Sequence, residues 1–429
     1  MINNILNKYL NNEKSDKLRN YSLDSVIALL DNMQNPHKNF KSIHIAGTNG
    51  KGSTAFLLAA ILKNSGYKTG LYVSPHLSKI NERIKINLND IDDLLLERYL
   101  KLIDSICLEK SLSPTYFDIL TATAFKYFSD ESIDIAIIET GLGGRLDSTN
   151  VIIPEISIIT DISMDHTTIL GETIEEITKE KCGIIKQNIP VITSNDDPKI
   201  ISIIQEYAGK NSSRLYTFNR DFFIGDINRD NHNFIFDYFS EKYKLNNIKI
   251  SLFPIHQVKN TSLVITALNH LKLYNSYNIS DTIIYKTLEN IEVPGRFQIL
   301  RNRPLIIYDP AHNFDALNNL INDLNNFYSH KKKLFFVSMM KDKVNNKIIE
   351  LLENVNAIYI TLPDERGYIP DKKIFKIVSD KNNLIEIISH MNTIDEMAIF
   401  TGTFRLYDFA LSAIDSRMGV CNTPINKQS

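Results

Sequence analysis

The sequence predicts an α/β protein with an amino-terminal P-loop-type parallel sheet domain, a small antiparallel accessory sheet and a carboxy-terminal Rossmann-like domain. From Ser42 to about Val293, short β-branched runs alternate with helix-length amphipathic stretches, which is typical of a parallel sheet flanked by helices. The alternation begins again after Pro294 and Gly295, a pair that disfavours both helix and strand. We therefore expect one domain over residues 1–293 and a second over residues 294–429.

Each predicted element follows from its local pattern. The strand-like runs of the first block are SIHIA, TGLYV, DIAIIET, EISIIT and PVIT. Between about Phe218 and Leu252 apolar and polar residues alternate, as in NFIFDYF, which favours antiparallel strands with one face in water. In the second block PLIIYDP, KKLFFVS, NAIYIT and AIFT read as strands, and FDALNNLINDLNNF reads as a helix.

The amino-acid composition limits the kinds of molecule that the protein is expected to bind. The 48 basic and 50 acidic residues leave a net charge of -2, which provides no global attraction for nucleic acid or anionic lipid. No stretch approaches the ~18 apolar residues of a membrane span. Cys107, Cys182 and Cys421 lack the spacing of a zinc site. We expect a cytoplasmic protein with small-molecule substrates, reduced cysteines, and neither nucleic-acid nor membrane partners.

The strongest motif is IHIAGTNGKGST, in which an apolar strand from Ile43 to Ala46 runs into a glycine-rich loop and Ser53 is expected to open a helix. Glycines let backbone N–H groups surround phosphate oxygens, and a lysine adds a mobile positive charge. The spacing departs from the standard P-loop, and an ordinary glycine-rich turn is the alternative. The residues predicted to bind nucleotide here are Gly47, Thr48, Asn49, Gly50, Lys51, Gly52, Ser53 and Thr54.

Further motifs follow this loop in a recognisable order. They are SPHL at 74–77, NERIKIN at 81–87, TYFD at 115–118, ETGLGGRLDSTN at 139–150, the segment TDISMDHTTILGETIEEITKEKCGIIK, PGRFQ at 294–298 and DPAHN at 309–313. Together with GTNGKGS they make the chain resemble the folylpolyglutamate synthase and bifunctional dihydrofolate synthase branch of the Mur ligase superfamily. Pro310 and Cys182 depart from the usual glycine and alanine of that branch.

The resemblance implies an ATP-dependent ligase that adds L-glutamate to dihydropteroate, to folate or to both, through an acyl phosphate. It implies a central ATP-binding domain over 1–293, a glutamate-ligase domain over 294–429, and a monomer. A peptidoglycan-precursor Mur ligase is the nearest alternative, although such enzymes usually carry an additional domain before the loop. A P-loop nucleotide switch or binding module is the alternative from another class.

The metal residues follow from strand ends and from the resemblance. Glu139 ends the apolar run DIAIIET, where open α/β folds bind ligands, although such acids also cap loops. The resemblance implies two Mg²⁺ sites, with Ser74 and Glu139 at one and His166, expected at another strand end, at the second. It also implies that Lys181 is carbamylated and binds metal, whereas Lys179 and Lys186 are read as solvated helix lysines.

The resemblance assigns the remaining site residues. Asn260, expected at the start of a helix, Arg296 on a presumed hinge, and Asp309 are implied to contact ATP. His312 is a candidate acceptor for the proton of the glutamate amine, and Lys51 and Lys181 complete the predicted catalytic set. Helix capping is the plain alternative for the strand-end acid and for Asn260. The expected contacts to the pteridine and benzoyl groups are Thr115, Phe117, Asp118 and Asp147.

Overall fold

The computed structural model describes residues 2–14, 22–230, 233–251, 254–364 and 366–415. The chain divides into two compact units, Met1–Val293 and Pro294–Ser429. Within the described residues no helix is both long enough and apolar enough to cross a bilayer. Cys107 and Cys182 are buried free thiols, and Cys421 lies outside the described residues.

The first unit is built on a sheet of eight strands surrounded by helices. The strands are β1 Lys41–Ala46, β2 Thr69–Tyr72, β3 Ile84–Ile86, β4 Asn89–Asp90, β5 Ile135–Glu139, β6 Ile156–Ile159, β7 Val191–Thr193 and β8 Leu215–Thr217. The helices are α1 Ile2–Lys14, α2 Asp24–Asp31, α3 Lys51–Asn64, α4 Asp93–Lys110, α5 Tyr116–Asp130, α6 Thr167–Leu170, α7 Ile174–Cys182, α8 Pro198–Lys210, α9 His256–Tyr274 and α10 Asp281–Asn290.

The strand order β4-β3-β2-β5-β1-β6-β7-β8 places β1 between β5 and β6. These pairings are parallel, and only β3 and β4 at one edge run antiparallel to their neighbours. All five residues of β5 are buried, as expected for a strand covered by helices on both faces. The predicted parallel sheet is confirmed, and the carboxyl ends of β1, β5 and β6 lie side by side at one edge.

The accessory sheet is antiparallel, as the alternating pattern predicts. Its strands are β9 Phe222–Ile224, β10 Asn228–Asp230, β11 Asn233–Ser240 and β12 Lys244–Ile250, and β11 pairs with each of the other three. Phe234, Phe236 and Tyr238 of β11 are buried, whereas the residues between them are not. A period of two residues therefore separates the packed face from the wet face.

The second unit has a six-stranded sheet in the order β13-β14-β18-β15-β16-β17, parallel except for β13. Its strands are β13 Gln298–Asn302, β14 Leu305–Asp309, β15 Lys332–Val337, β16 Ile358–Ile360, β17 Lys376–Val378 and β18 Glu396–Thr401. Its helices are α11 Phe314–Phe327, α12 Asn346–Asn354, α13 Lys381–Ser389 and α14 Leu406–Asp415. The expected Rossmann-like alternation is present.

Two predicted helix boundaries are wrong. Helix α3 begins at Lys51 rather than at Ser53, because Gly50 adopts a left-handed conformation (φ 92°) that lets the chain turn directly into the helix. Helix α9 begins at His256, so Asn260 lies in its second turn and not at its start. The additional turn includes Gln257, whose polar side chain is buried by tertiary contacts that a local pattern does not reveal.

Candidate active site

The phosphate loop connects the end of β1 to the start of α3. The first N–H groups of a helix have no partner within the helix, and the helix dipole makes this end electropositive. The first helical bond joins Thr54 N–H to the Gly50 carbonyl, so the N–H groups of residues 51–53 point out of the helix end. Lys51 is the first helical residue, which places a cation beside these donors.

Other N–H groups of the loop are held by the protein itself. The carbonyl of Asp161, just beyond β6, accepts the N–H of Thr48 (2.8 Å) and the N–H of Asn49 (3.1 Å). Thr48 Oγ1 also donates to the Ser163 carbonyl at 3.1 Å. The Asp161 carbonyl thus binds two N–H groups of the predicted nucleotide loop, whereas those of residues 51–53 precede the first hydrogen bond of α3.

Two lysine amino groups meet at the same carbonyl. Lys51 Nζ donates to the Gly47 carbonyl at 3.1 Å and lies 4.0 Å from Glu139 Oε1. Lys181, in the last turn of α7, is 3% exposed and its Nζ donates to the Gly47 carbonyl at 2.8 Å. Lys181 is thus a buried lysine at the loop and not a solvated helix residue.

Glu139 and Ser74 are neighbours, as the first predicted metal site requires. Glu139 is 3% exposed, and its Oε2 accepts the backbone N–H of Ser74 at 3.2 Å. A buried carboxylate beside a hydroxyl-bearing residue supplies the hard oxygen donors that Mg²⁺ prefers. The residues present therefore fit a magnesium ion, although no group of three His, Cys, Asp or Glu side chains converges as a ligand set within the described residues.

Two predictions near α7 require correction. His166 is not at a strand end: β6 ends at Ile159, and His166 adopts a left-handed conformation (φ 48°) at the start of the short helix α6. Lys186 is not a solvated helix residue: it follows α7, is half-buried, and donates to the Asn150 carbonyl at 2.8 Å. Burial lowers the pKa of Lys186. Lys179 is exposed on α7, as predicted.

Asn260 reaches the phosphate loop through close packing. A Cβ atom on Gly50 would lie 2.5 Å from Asn260 Oδ1, so the glycine is required for this approach as well as for its positive φ. Asn260 Nδ2 donates to Gln257 Oε1 at 3.1 Å, and Gln257 Nε2 donates to Ser53 Oγ at 3.2 Å. The hydroxyl of Thr54 is buried with no hydrogen-bond partner within the described chain.

Thr115 and Asp118 form the amino-terminal cap of α5. Thr115 Oγ1 accepts the N–H of Asp118 at 3.1 Å, and Asp118 Oδ2 accepts the N–H of Thr115 at 2.8 Å. Asp118 Oδ1 also accepts the Ser148 hydroxyl at 2.6 Å. Phe117 is half-buried against Gly141, where a Cβ atom would come within 2.5 Å of its ring. Phe117 is thus the predicted substrate residue with an accessible ring beside the segment that follows Glu139.

Asp147 holds the glycine-rich segment after β5. Its Oδ2 accepts the Leu142 N–H at 2.8 Å, and its Oδ1 accepts the Thr149 N–H at 3.0 Å and the Thr149 hydroxyl at 2.5 Å. Burial raises the pKa of Asp147 against the opposing effect of these hydrogen bonds. The Asp147 side chain is 5% exposed, so its main role is to fix the conformation of the glycine-rich segment after β5.

In the second unit, Arg296, Asp309 and His312 lie near the end of β14. Asp309 is buried, and its two oxygens accept the N–H groups of Phe297 and Ala311, both at 3.0 Å. Burial raises the pKa of Asp309, and the charge of Arg296 opposes that rise. The Arg296 guanidinium lies over the Phe404 ring at 5.2 Å, and the His312 ring centroid is 6.1 Å from that of Phe404. The structure therefore gathers these three residues.

Comparison with known proteins decides the family. Residues 45–268 match the Mur ligase middle domain, and residues 295–400 match the Mur ligase glutamate ligase domain. The dihydrofolate synthase/folylpolyglutamate synthase of Bacillus subtilis (strain 168) is 31% identical over 389 residues, covering 87% of this chain and 90% of the relative. The chain belongs to the Mur ligase family.

Solved structures place it in the folylpolyglutamate synthase branch of that family. The folylpolyglutamate synthase of Thermotoga maritima has a TM-score of 0.79 at 30% identity, and the match covers 92% of this chain and 93% of that one. A folylpolyglutamate synthase complex with AMPPCP and folate has a TM-score of 0.81 at 27% identity, with 92% and 95% covered. The resemblance inferred from the motifs is confirmed.

Three residues at the phosphate loop of this Mur ligase were not predicted. Asp161 acts through its backbone carbonyl, which no side-chain pattern reveals. Gln257 stands in the motif HQVKN, and its buried amide joins Ser53 to Asn260. Lys259, beside Asn260, lies 3.2 Å from both Asp161 Oδ1 and Asp196 Oδ2. Gln257 and Lys259 had a sequence signal, since both are polar residues in the motif that already contained Asn260.

Proposed function

We propose that this chain joins L-glutamate to a folate-type carboxylate with ATP, as a dihydrofolate synthase, a folylpolyglutamate synthase or both. The observation that carries the proposal is the loop between β1 and α3, where Lys51 stands beside the open N–H groups and 4.0 Å from Glu139. Relatives of both names and a solved relative holding AMPPCP and folate support the choice of substrates.

The proposed chemistry proceeds in two balanced steps. An oxygen of the acceptor carboxylate attacks the γ-phosphorus, the bond to ADP breaks, and an acyl phosphate forms. The glutamate amine then attacks the acyl carbon, inorganic phosphate leaves, and the amine proton passes to His312 or water. Lys51 and the amino terminus of α3 stabilise the charge that develops on the phosphate oxygens, so the protein acts mainly by positioning and electrostatics.

Magnesium completes the proposal. Ser74 and Glu139 would hold one ion, and His166 with a carbamylated Lys181 would hold the second. When bound, magnesium neutralises the phosphate charge and aligns the attack. The burial of Lys181 beside the phosphate loop, where its Nζ donates to the Gly47 carbonyl, supports a role at this site. In the second unit, Arg296 and Asp309 are proposed to contact ATP.

Four parallel reactions test the proposal. Purified full-length chain is mixed with ATP, magnesium and glutamate, and receives dihydropteroate, tetrahydrofolate, a UDP-muramoyl acceptor or no acceptor. ADP release is measured, and products are identified by mass. We expect ADP release with dihydropteroate, tetrahydrofolate or both, accompanied by a mass gain of one glutamate residue. Release with tetrahydrofolate alone limits the activity to tail extension.

Two results would contradict the proposal. Release of ADP that is independent of every acceptor would indicate a nucleotide switch. A response to the muramoyl acceptor alone would indicate a ligase for peptidoglycan precursors.

A further inference from the structure

A buried polar chain runs from the centre of the large sheet to the segment that follows Glu139. His44 lies on the central strand β1, opposite Ile138 of β5 and Ser157 of β6, and is 0% exposed. Its Nε2 is 2.8 Å from Thr149 Oγ1, and Thr149 Oγ1 is 2.5 Å from Asp147 Oδ1. Central strands of parallel sheets are normally apolar, so a histidine at this position requires an explanation.

The direction of the hydrogen bonds follows from proton counting. An ionised Asp147 has no proton to donate, so the single hydroxyl proton of Thr149 points to Asp147 Oδ1. The hydroxyl oxygen is then left to accept, and His44 must donate through Nε2–H. His44 Nδ1 is therefore the bare nitrogen. Within the described chain that nitrogen is buried and has no hydrogen-bond partner, and a bare nitrogen leaves no N–H group unsatisfied.

The ring stays neutral over the range in which enzymes work. Burial, with a smaller contribution from the charge of Lys186, lowers the pKa of His44 to about 3. A neutral ring with one N–H group is a fixed donor and not a proton shuttle. The role open to His44 is consequently to orient its partner.

The partner determines the shape of the segment between Gly141 and Asp147. Asp147 accepts the N–H of Leu142 at one end of the segment and of Thr149 beyond the other. The segment begins beside Phe117, because Gly141 allows the aromatic ring to approach its backbone. It also follows directly on Glu139 and Thr140. A small rotation of the Asp147 carboxylate would move the backbone on which an acceptor molecule would rest.

We infer that His44 is a positioning residue for the acceptor: through the Thr149 hydroxyl it orients the Asp147 carboxylate, which sets the backbone of residues 141–147 beside Phe117. This inference rests on the proposed function, under which that segment receives the folate-type acceptor. Under the proposed function ATP is held by the loop after β1 and by α3, which the hydrogen bonds from His44 through Thr149 to Asp147 do not include. The effect of His44 should therefore fall on the acceptor and not on ATP.

The test compares a variant that loses the N–H donor of His44 with a variant that retains an N–H donor. His44→Leu removes the N–H donor at similar volume, and His44→Gln retains an amide N–H near the position of Nε2. Initial rates of the full-length chain are measured while acceptor and ATP are varied separately. We expect His44→Leu to raise the acceptor KM about tenfold, which corresponds to the loss of roughly one hydrogen bond, with the ATP KM unchanged within about twofold. His44→Gln should stay within about threefold of the natural chain for both substrates.

A second pair of variants provides the test if the His44 variants do not fold. Thr149→Val removes only the hydroxyl, and Thr149→Ser retains it. The same split in KM is expected for Thr149→Val and not for Thr149→Ser. The inference is overturned if His44→Leu and His44→Gln behave alike, if both KM values rise together, or, where the His44 variants do not fold, if the two Thr149 variants behave alike.

A readout without catalysis separates this inference from the proposed function. Amide hydrogen exchange of residues 141–149 is followed by mass spectrometry in the absence of substrates. His44→Leu should accelerate exchange at Leu142 and Thr149 about tenfold, and His44→Gln should leave it unchanged. If the natural chain transfers no glutamate but exchange responds as stated, the proposed function fails and the positioning of the segment stands. Unchanged exchange in His44→Leu would overturn the positioning itself.

Discussion

The carboxyl edges of the two parallel sheets carry buried acids of similar position and different surroundings. Glu139 ends β5 in the first unit, and Asp309 ends β14 in the second. Glu139 accepts the backbone N–H of Ser74 and faces the Lys51 ammonium at 4.0 Å. Each of the two carboxylate oxygens of Asp309 accepts a backbone N–H group, and burial raises the pKa of Asp309.

The difference shows that a strand-end position does not define a role. A carboxylate whose oxygens are occupied by backbone N–H groups first shapes the turn that follows the strand. A carboxylate that faces a cation is suited to ionic chemistry with a metal ion or a phosphate-bound partner. We therefore propose that the edge with Glu139 carries the ionic chemistry, and we expect the edge with Asp309 to depend more on its fold.

Removal of the phosphate-loop cation should have the largest effect. Lys51→Ala should lower ATP-dependent turnover by about 10³-fold or more, because the charge that develops on the phosphate oxygens loses its nearest cation. ADP release in the presence of acceptor and glutamate is the measurement. Lys63→Ala, at the exposed far end of the same helix, is the control and should remain active. Equal activity of the two variants would contradict a role of this loop in nucleotide binding.

The two strand-end acids can be compared directly. Glu139→Gln should reduce turnover by roughly 10²-fold and raise the magnesium concentration needed for half-maximal rate, since an amide is a poor magnesium ligand. Asp309→Asn should leave the magnesium requirement unchanged and cost about 1–2 kcal/mol of stability, because one backbone N–H loses its acceptor. Magnesium titrations and denaturant unfolding provide the two measurements. An equal shift in the magnesium requirement of both variants would contradict the proposed difference between the two sheet edges.

A comparison of buried Lys181 with half-buried Lys186 sharpens the assignment within the first unit. Lys181→Ala should lose roughly tenfold more activity than Lys186→Ala if Lys181 carries a carbamate that binds metal. Lys186 donates to the Asn150 carbonyl, so its loss should appear as about 1 kcal/mol of stability. Incorporation of isotopically labelled bicarbonate at Lys181 is an independent measurement. Equal losses of activity in the two variants would refute the carbamate.

The final prediction concerns acid stability. The pKa of His44 falls from an ordinary 6.5 to about 3 on folding, so between these values the unfolded chain binds more protons. Stability should therefore rise with pH across this window and be lost as pH falls through it. His44→Gln should flatten the slope by up to about 1.4 kcal/mol per pH unit, measured by denaturant unfolding at several pH values. His330→Gln, at an exposed site, is the matched control.

Local pattern was sufficient for much of the fold. The spacing of apolar and polar residues along the chain predicts the alternation of strand and helix and the antiparallel accessory strands. It also predicts that Glu139 lies at the end of a strand. The glycine-rich loop was recognisable for the same reason, since a turn into a helix needs specific residues at adjacent positions. Helix starts were less predictable, because Gly50 and Gln257 owe their conformation and burial to neighbours distant in sequence.

Tertiary structure decided which residues meet. Lys181 reaches the Gly47 carbonyl across 134 residues, and His44 reaches Thr149 across 105. Both contacts depend on the strand order β5-β1-β6, which no local pattern encodes. The sequence by itself therefore determined the class of fold and the presence of a phosphate loop. The placement of Asn260, Asp147 and Lys181 was decided only when long-range packing brought separate motifs to one sheet edge, because burial energy depends on the whole assembled core.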